Sequence, residues 1–444
     1  MLILDLLRQV RTNNKVLKLS KDEVKLLQRE KFLKLVAFAA ENSPYYKKIV
    51  QDGKIDINNC TPEDFPMLTK ADFIEHFNEI VTDKEVTKEK LADFFEHSKD
   101  PNEMFLGRYF ATNTSGSSGT IAYYLYTQDE FLKGVITLVR ADKIRLLQRL
   151  AYVASTRGHF AGVSMALAAK KVPLLYKEIK TFDVNAPFSD TIASLNDMQP
   201  TAVGGYAFAL RKLAEAKRDG RLNIHPKLIQ SGGEPLSSAD KEYIQATFPN
   251  VRIVNVYSAS EHLTMGIGED RFDGMYLMED NLIFEFHQDF ICVTNLYNYT
   301  LPLIRYQMSD RLEPVEDETG SMPFTKVREI IGRMESTPVF LNDNDEEDFI
   351  SPIFLIDEFE VEIRCIDKWQ MLVLGNKSFT FRVQFKQGTP QTEQEKAIDK
   401  IRLKLKAILS EKMMNNVNFT IKVVNDLWAD KKTGKFKLIV LHKG

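Results

Sequence analysis

The sequence predicts an α/β protein in two parts, a large N-terminal unit on parallel-rich sheet and a small α+β unit at the C-terminal end. Three observations carry this reading. Between about 150 and 310, short β-rich runs alternate with amphipathic helical patterns. The chain has 444 residues, more than the ~100–200 of a usual domain. After about 335 the texture changes to several strands and one long helix, which sets the units at 1–333 and 334–444.

Each element can be justified in order. Residues 1–50 carry apolar side chains at helical spacing, and Pro44 closes that pattern. "LTKADFIEHFNEIV" opens as a capped helix, with Thr69 as N-cap and Asp72 three residues later. Residues 129–151 read as a further helix. "LAYVAST", "TAVGG", "KLIQSGG" and "RIVNVYSA" read as strands, with "AFALRKLAEAKRDG" and "SSADKEYIQATF" as helices between them. The polar stretch "LNDNDEEDFISP" is a solvated turn, because its spacing does not match an EF-hand. Beyond it, "EVEIRCID", "WQMLVLG", "FTFRVQFK", "VNFTIKVVN" and "KFKLIVLHK" are strands around the helix "TEQEKAIDKIRLKLKAILSEKM".

Composition narrows the function. Hydrophobic residues are 44% and charged residues 27%, with net charge −3 and lysines spread along the chain. No basic face for nucleic acid is indicated. Cys60, Cys292 and Cys365 lie too far apart for a disulfide framework or a metal knuckle and read as reduced thiols. "MLILDLLRQV" lacks the basic leader and cleavage site of a signal peptide. No run of ~20 apolar residues could span a bilayer, so a cytoplasmic protein is expected.

Ligands of parallel α/β sheets bind at the C-terminal strand ends, and the loops there are distinctive. "ATNTSGSSGT" (111–120) sets small hydroxyls among glycines, either as a flexible turn or as a cradle of N–H and O–H groups for phosphate. It is no Walker motif, since no Lys-Ser/Thr follows its last glycine. "SGGEPLSSADK" (231–241) suits a flat ring against backbone, or simply a strand-to-helix turn capped by Ser238. "NVYSASEH" (255–262) offers Tyr257 for stacking and Glu261 for a cation. "LPLIRYQMSDRL" (301–312) ends a strand with Arg305 and Asp310; "IIGRMES" (330–336) offers Arg333; "DKKTGKFKLIV" (430–440) presents Lys435. No Ser-His-Asp or Cys-His nucleophile arrangement is evident.

Taken in this order, the six segments resemble those of the adenylate-forming superfamily of acyl-CoA synthetases, luciferases and adenylation domains. Within it, "NSPYYKKIV" (42–50) and "FPMLTKADF" (65–73) are similar to segments of phenylacetate-CoA ligases and their capsule-biosynthesis relatives. The resemblance implies ATP, Mg²⁺ and coenzyme A as ligands and a two-step reaction: a carboxylic acid, aryl or otherwise hydrophobic, becomes an acyl-adenylate with loss of pyrophosphate, then a thioester. Thr114, Ser115, Gly116, Ser117, Ser118, Gly119 and Thr120 would bind the β/γ-phosphates. Gly233, Glu234 and Pro235 would line the adenine and Tyr257 would stack on it, with Ser260 and Arg305 among the nucleotide contacts. Glu261 would hold Mg²⁺, Asp310 the ribose hydroxyls, and Arg333 the ribose or α-phosphate. Lys435 would be the mobile lysine of a C-terminal domain that turns about a hinge at Glu335. Gly158, His159, Phe160, Gly205 and Tyr206 would wall the acid pocket.

The pattern departs from the family in places. Thr120-Ile121 stands where many relatives have Lys-Pro, and Ser258, Ala259 and Ser260 stand within the usual Y-G-x-T-E. Three readings stay open: transfer to coenzyme A, transfer to the phosphopantetheine thiol of an acyl carrier protein, or a non-catalytic nucleotide- or acyl-binding paralogue. A homodimer would be typical of the branch.

Overall fold

The helical spacing of the first fifty residues resolves into α1 (Ile3–Lys15), α2 (Lys21–Asn42) and α3 (Pro44–Gly53). The computed structural model describes residues 3–98, 100–101, 103–113, 121–140, 146–156, 159–169, 175–288, 290–328, 337–356, 358–359, 363, 365–425, 427 and 438–441. Pro44 does not merely stop the preceding helix. It occupies the first turn of α3, where a missing N–H leaves no bond unmade. Thr69 caps α4 (Lys70–Glu75): the Asp72 N–H donates to Thr69 Oγ1 at 3.1 Å, and Oγ1 donates to Asp72 Oδ2 at 2.6 Å. α5 (Phe77–Ile80) and α6 (Lys88–His97) follow. Among the described residues no helix is long and apolar enough to cross a membrane.

An antiparallel hairpin of β1 (Tyr109–Asn113) and β2 (Tyr123–Thr127) brackets the hydroxyl-rich segment 114–120, which lies outside the described residues. α7 (Gln128–Ile136) is shorter than the helix expected over 129–151, because the chain enters β3 (Gln148–Ala154) before that span ends. β3 pairs on both edges, and two non-local ladders outweigh local helical periodicity.

From there strand and helix alternate as expected: α8 (Ala161–Ala168), β4 (Tyr176–Asp183), α9 (Phe188–Met198), β5 (Ala202–Gly205), α10 (Ala207–Arg218), β6 (Leu228–Gly232), α11 (Ser238–Thr247) and β7 (Arg252–Ala259). Ser237, not Ser238, caps α11, its Oγ accepting from the Asp240 N–H at 3.0 Å. The chain then reverses into β8 (Leu263–Glu269) and β9 (Met275–Leu277). β10 (Leu282–Phe286), β11 (Ile291–Asn295) and β12 (Tyr306–Met308) form a separate antiparallel sheet, and β13 (Lys326–Val327) returns to the first. The main sheet has the order β13-β9-β8-β7-β6-β5-β3-β4, with β4, β3, β5, β6 and β7 parallel and β8, β9 and β13 antiparallel. Five of its eight strands are parallel, so the sheet is parallel-rich as expected.

The C-terminal region consists of the hairpin β14 (Val339–Leu341) and β15 (Glu347–Phe349), α12 (Pro352–Ile356), β16 (Ile366–Gly375), β17 (Ser378–Phe385), α13 (Gln391–Glu411), β18 (Asn418–Val423) and β19 (Ile439–Leu441). Its mixed sheet, β18-β17-β16-β19, buries Trp369 stacked on Phe381 at 5.1 Å beneath Ile401 and Leu405 of α13. The polar stretch between β14 and β15 is a turn, as expected, but Asp348 within it is buried. Lys412 donates to Asp348 Oδ1 at 2.9 Å and to the carbonyls of Val184 and Ala186 at 3.1 and 2.8 Å. The Phe188 N–H donates to Asp348 Oδ2 at 3.0 Å, and Phe349 packs edge-on against Phe188 and Phe208. A buried ion pair and one aromatic thus tie the C-terminal sheet to the main one.

Removing one partner of that pair leaves the other charge buried and alone. Lys412→Ala is expected to lower stability by ~3–5 kcal/mol, and an added Asp348→Leu change to recover much of the loss. Urea unfolding of the three proteins, followed by tryptophan fluorescence and circular dichroism, checks this; equal midpoints for wild type and Lys412→Ala would refute the latch.

Candidate active site

The parallel strands β3, β5, β6 and β7 end together, and their loops meet there. Gly205 (φ +154°) closes β5, where a Cβ would lie 2.2 Å from Val153 O, so no other residue fits without moving backbone. Gly233 (φ +80°) turns the chain after β6, and a Cβ there would press on the Tyr206 ring at 2.9 Å. Tyr206 therefore packs beneath the G-G-E-P turn. Next in that turn, Glu234 Oε2 accepts from the Phe208 N–H at 3.3 Å, at the open N-terminus of α10. Burial raises the Glu234 carboxyl to about 7, and that hydrogen bond restrains the rise.

β7 and β8 are joined by three residues, Ser260, Glu261 and His262, with Leu263 in the left-handed region at φ +54°. Ser260 fastens this turn to the β1–β2 hairpin. Its Oγ donates to Asn113 O at 3.1 Å, and its carbonyl accepts from Tyr126 Oη at 2.7 Å and Thr112 Oγ1 at 3.3 Å. The base of the hydroxyl-rich loop is thereby held beside Glu261. The predicted hydroxyl at 260 thus serves backbone positions.

Burial raises the Glu261 carboxyl to about 7; its backbone hydrogen bond and the Lys70 ammonium pull it down, and Asp310 pushes it further up. The same burial, with the Glu261 charge, holds the hydroxyls of Tyr124, Tyr126, Tyr257 and Tyr306 protonated. Tyr124 and Tyr306 share a hydrogen bond at 2.8 Å. The Tyr257 hydroxyl is buried beside Asp310 without an ordinary hydrogen bond, and burial raises the Asp310 carboxyl while Tyr257 lowers it. The Glu261 carboxyl thus lies near a second acid, Asp310, and is surrounded by tyrosine hydroxyls.

Lys70 was not expected in this group. It opens α4, and the segment before it is stitched to β12: the Leu68 N–H donates to Arg305 O at 3.0 Å and the Gln307 N–H donates to Leu68 O at 2.9 Å. That pairing carries the first residue of a helix to a carboxylate 191 positions later (261 − 70). The only local signal is the capping box, which fixes where the helix starts.

Other expectations fall elsewhere. Arg305, read as a nucleotide contact, spends its donors on structure: Nε and Nη2 donate to Glu285 at 2.9 and 2.7 Å, and Nη1 donates to Phe65 O at 2.8 Å. His159 is buried between Phe94 and Phe95, with Nε2 2.9 Å from Ser98 Oγ, which also donates to Glu103. His262 is buried with neither ring nitrogen hydrogen-bonded, and burial lowers it to about 3, so it is a neutral packing group against Tyr306. Gly158, Arg333, Glu335, Lys435 and residues 114–120 lie outside the described residues.

Comparison with known proteins gives the fold a context. No family model matches the chain. Protein CapK of Staphylococcus aureus is 23% identical over 340 residues, 69% of this chain and 67% of that protein. 2-Hydroxyisobutyryl-CoA ligase, in complex with 2-HIB-AMP and CoA in the thioesterification state, superposes with a TM-score of 0.60 at 15% identity, over 96% of this chain and 91% of that one. The same ligase in the postadenylation state with R3-HIB-AMP gives 0.56 at 15% identity, over 97% and 92%. The chain shares the fold of that ligase.

A cavity of about 1250 Å³ lies against the sheet and reaches the ends of β6 and β7. It is lined by Tyr152, Gly204, Gln230, Gly232, Val256 and Ser258 on the sheet side and by residues of α1, α2, α7 and α8 around it. Gly205, Tyr206, His159 and Phe160, expected as pocket walls, do not line it. Successive strand residues face opposite sides, so Gly204 faces this cavity and Gly205 does not.

The raised Glu261 carboxyl makes stability depend on pH. The folded protein holds this proton up to about pH 7, whereas the unfolded chain releases it near the ordinary value of 4.5. Over that interval the folded state binds more protons, so stability falls as pH rises. Glu261→Gln is expected to match wild type at pH 4 and to exceed it at pH 8 by on the order of 2–3 kcal/mol. Denaturant unfolding at both pH values checks this, and an equal difference at both would show that Glu261 is not held protonated.

Proposed function

We propose that this protein activates a carboxylic acid with ATP, forming an acyl-adenylate and releasing pyrophosphate, and then passes the acyl group to the thiol of coenzyme A. The convergence of Glu261, Asp310, Tyr257 and Lys70 at one set of strand ends, beside the base of the hydroxyl-rich loop, supports it. A carboxylate is a poor electrophile until its oxygen is exchanged for a better leaving group. Attack of a carboxylate oxygen on the α-phosphorus forms the acyl–phosphate bond and breaks the bond to pyrophosphate, so negative charge must be met by groups already in place.

Each residue has a task in that reaction. Residues 114–120 hold the β/γ-phosphates, with Ser260 fixing where their hairpin sits. Gly233, Glu234 and Pro235 flank the adenine, Tyr257 stacks on it, and Asp310 accepts the ribose hydroxyls. Lys70 places a second cation near the phosphates, while Lys435 and Arg333 reach the α-phosphate. Mg²⁺ fits Glu261, a carboxyl whose charge burial and Asp310 disfavour and whose hard oxygens suit that ion. When bound, it would neutralise phosphate charge, with Glu261 as its protein ligand. A C-terminal domain beginning after residue 333, hinged at Glu335, would carry Lys435.

With ATP, Mg²⁺ and a panel of acids, pyrophosphate release should require the matching acid, and coenzyme A should then yield a thioester seen by mass spectrometry. Glu261→Gln should lose roughly 100-fold or more in rate, and Lys435→Ala should lose adenylation. ATP binding with no pyrophosphate release for any acid would point instead to a nucleotide-binding protein without catalysis.

A further inference from the structure

The cavity beside the strand ends is oversized for a small acid. Its volume of about 1250 Å³ exceeds the ~300–1,000 Å³ that accommodates a drug-sized ligand. Its floor crosses four neighbouring strands: Tyr152 on β3 lies in register with Gly204 on β5 and Gln230 on β6, and Gly232 lies opposite Val256 on β7. Three inter-strand steps make that floor ~14 Å wide.

The glycines of the floor differ in what they do. A Cβ at Gly204 would strike the Tyr152 ring at 2.9 Å, and one at Gly162 the Tyr152 hydroxyl at 2.3 Å, so both make room for that tyrosine. Gly232 is different. Its φ is not in the left-handed region, and the nearest atoms to an added Cβ are Val256 O at 3.6 Å and Val256 Cβ at 3.7 Å, ordinary contacts. Neither backbone nor packing demands glycine there. What a side chain at 232 would take is cavity space.

The chemistry of the walls is apolar. Roofing residues include Leu132, Ile136, Met165, Ala166 and Ala168. Among the described residues, none of the buried side chains with an unpartnered polar atom lines the cavity. The charged lining groups deepest in the protein are already engaged: Asp280 is paired with Arg140 at 2.7 Å, and Lys31 donates to Asp280 O at 2.5 Å. Gln230 and Ser258 are the polar groups of the floor, and a polar substituent beyond their reach would surrender water and gain no partner.

We infer that the acid taken by this protein carries a long, extended apolar chain, a fatty acyl group in place of a single aromatic ring or a short hydroxy acid. This rests on the adenylation reading above. The carboxyl end lies at Gly232 and Ser258, next to the Glu261 turn, and the chain runs across β6, β5 and β3 beneath α8.

Two measurements on the full-length protein test the inference separately from the chemistry. The first is calorimetric binding without ATP of acetate, hexanoate, dodecanoate, hexadecanoate and phenylacetate. Affinity should rise by about fourfold per methylene until the cavity is filled. The second is pyrophosphate release with ATP and Mg²⁺ for the same acids, which should follow the same order. Gly232→Val and Ala168→Phe should each shift both profiles toward shorter acids, with roughly tenfold or greater loss for hexadecanoate. Having two variants on different elements, beside the wild-type series, keeps the test decisive if one variant does not fold. Dodecanoate binding that the variants shorten, with no pyrophosphate release, would support the long-chain site and overturn adenylation. Release confined to acetate or phenylacetate would uphold adenylation and overturn the long-chain site, as would chain-length profiles that neither variant moves.

Discussion

A carboxylate at the tip of a three-residue hairpin, shut in by tyrosines and a second acid, is the constraint around which this molecule is arranged. Glu261 sits where the sheet changes from parallel to antiparallel, so β7 and β8 must be in register for it to project at all. The turn is then fixed from outside by Ser260, which binds the β1–β2 hairpin on one side, while the Tyr297 hydroxyl donates to His262 O at 2.6 Å on the other. Burial makes the ionised form costly, and proximity to Asp310 adds to that cost. The Lys70 ammonium offsets part of it, which gives a physical reason for the pairing of the 65–70 segment with β12. A buried, charge-disfavouring carboxyl lowers stability, which is the usual relation between a binding site and the fold that supports it.

Local signals made much of this legible in the sequence. The alternation of strand and helix from 150 to 259 rests on two different periods in one chain, and those periods appear as written. The Thr69–Asp72 box and the G-G-E-P turn are short-range patterns whose geometry follows from the residues themselves. What could not be read depends on partners far away. Nothing near "LTMGIGE" says that it folds back on β7 as an antiparallel strand. Nothing near Lys70 says that it faces an acid, and nothing near Asp348 says that Lys412 will bury it. Arg305 was misplaced for the same reason, since its partner Glu285 lies on another strand of the smaller sheet. The 129–151 span failed because helical spacing there is real, yet β3 gains two ladders by leaving it.

The C-terminal sheet raises a related point. Its own core, around Trp369, Phe381 and α13, is complete within residues 340–439. Phe349, by contrast, belongs to the core of the main sheet. The boundary between the two cores therefore falls within the β14–β15 hairpin: Phe340 packs one way and Phe349 the other. A short polar hairpin is a natural place for such a change, because its strands alternate faces and each face can serve a different core. The Lys412–Asp348 pair is placed at that seam, and a buried pair favours one docked geometry more than it favours docking as such.

The same alternation links the two halves of the candidate active site. Gly232 and Gly233 are neighbours, yet they serve opposite sides of the β6 turn. Gly232 leaves space in the apolar cavity, and Gly233 takes a left-handed φ so that the turn can lie on Tyr206. Gly204 and Gly205 repeat the arrangement one strand away, with Gly204 toward the cavity and Gly205 pressed on Val153 O. Four glycines, three on two adjacent strands and one just past β6, therefore set both the floor of the cavity and the height of the loops above it. Any shift of β5 against β6 would move both at once. An acid seated in the cavity and a nucleotide seated on the loops would then be held in a fixed relation by the ladder between these strands, without any side chain reaching from one ligand to the other.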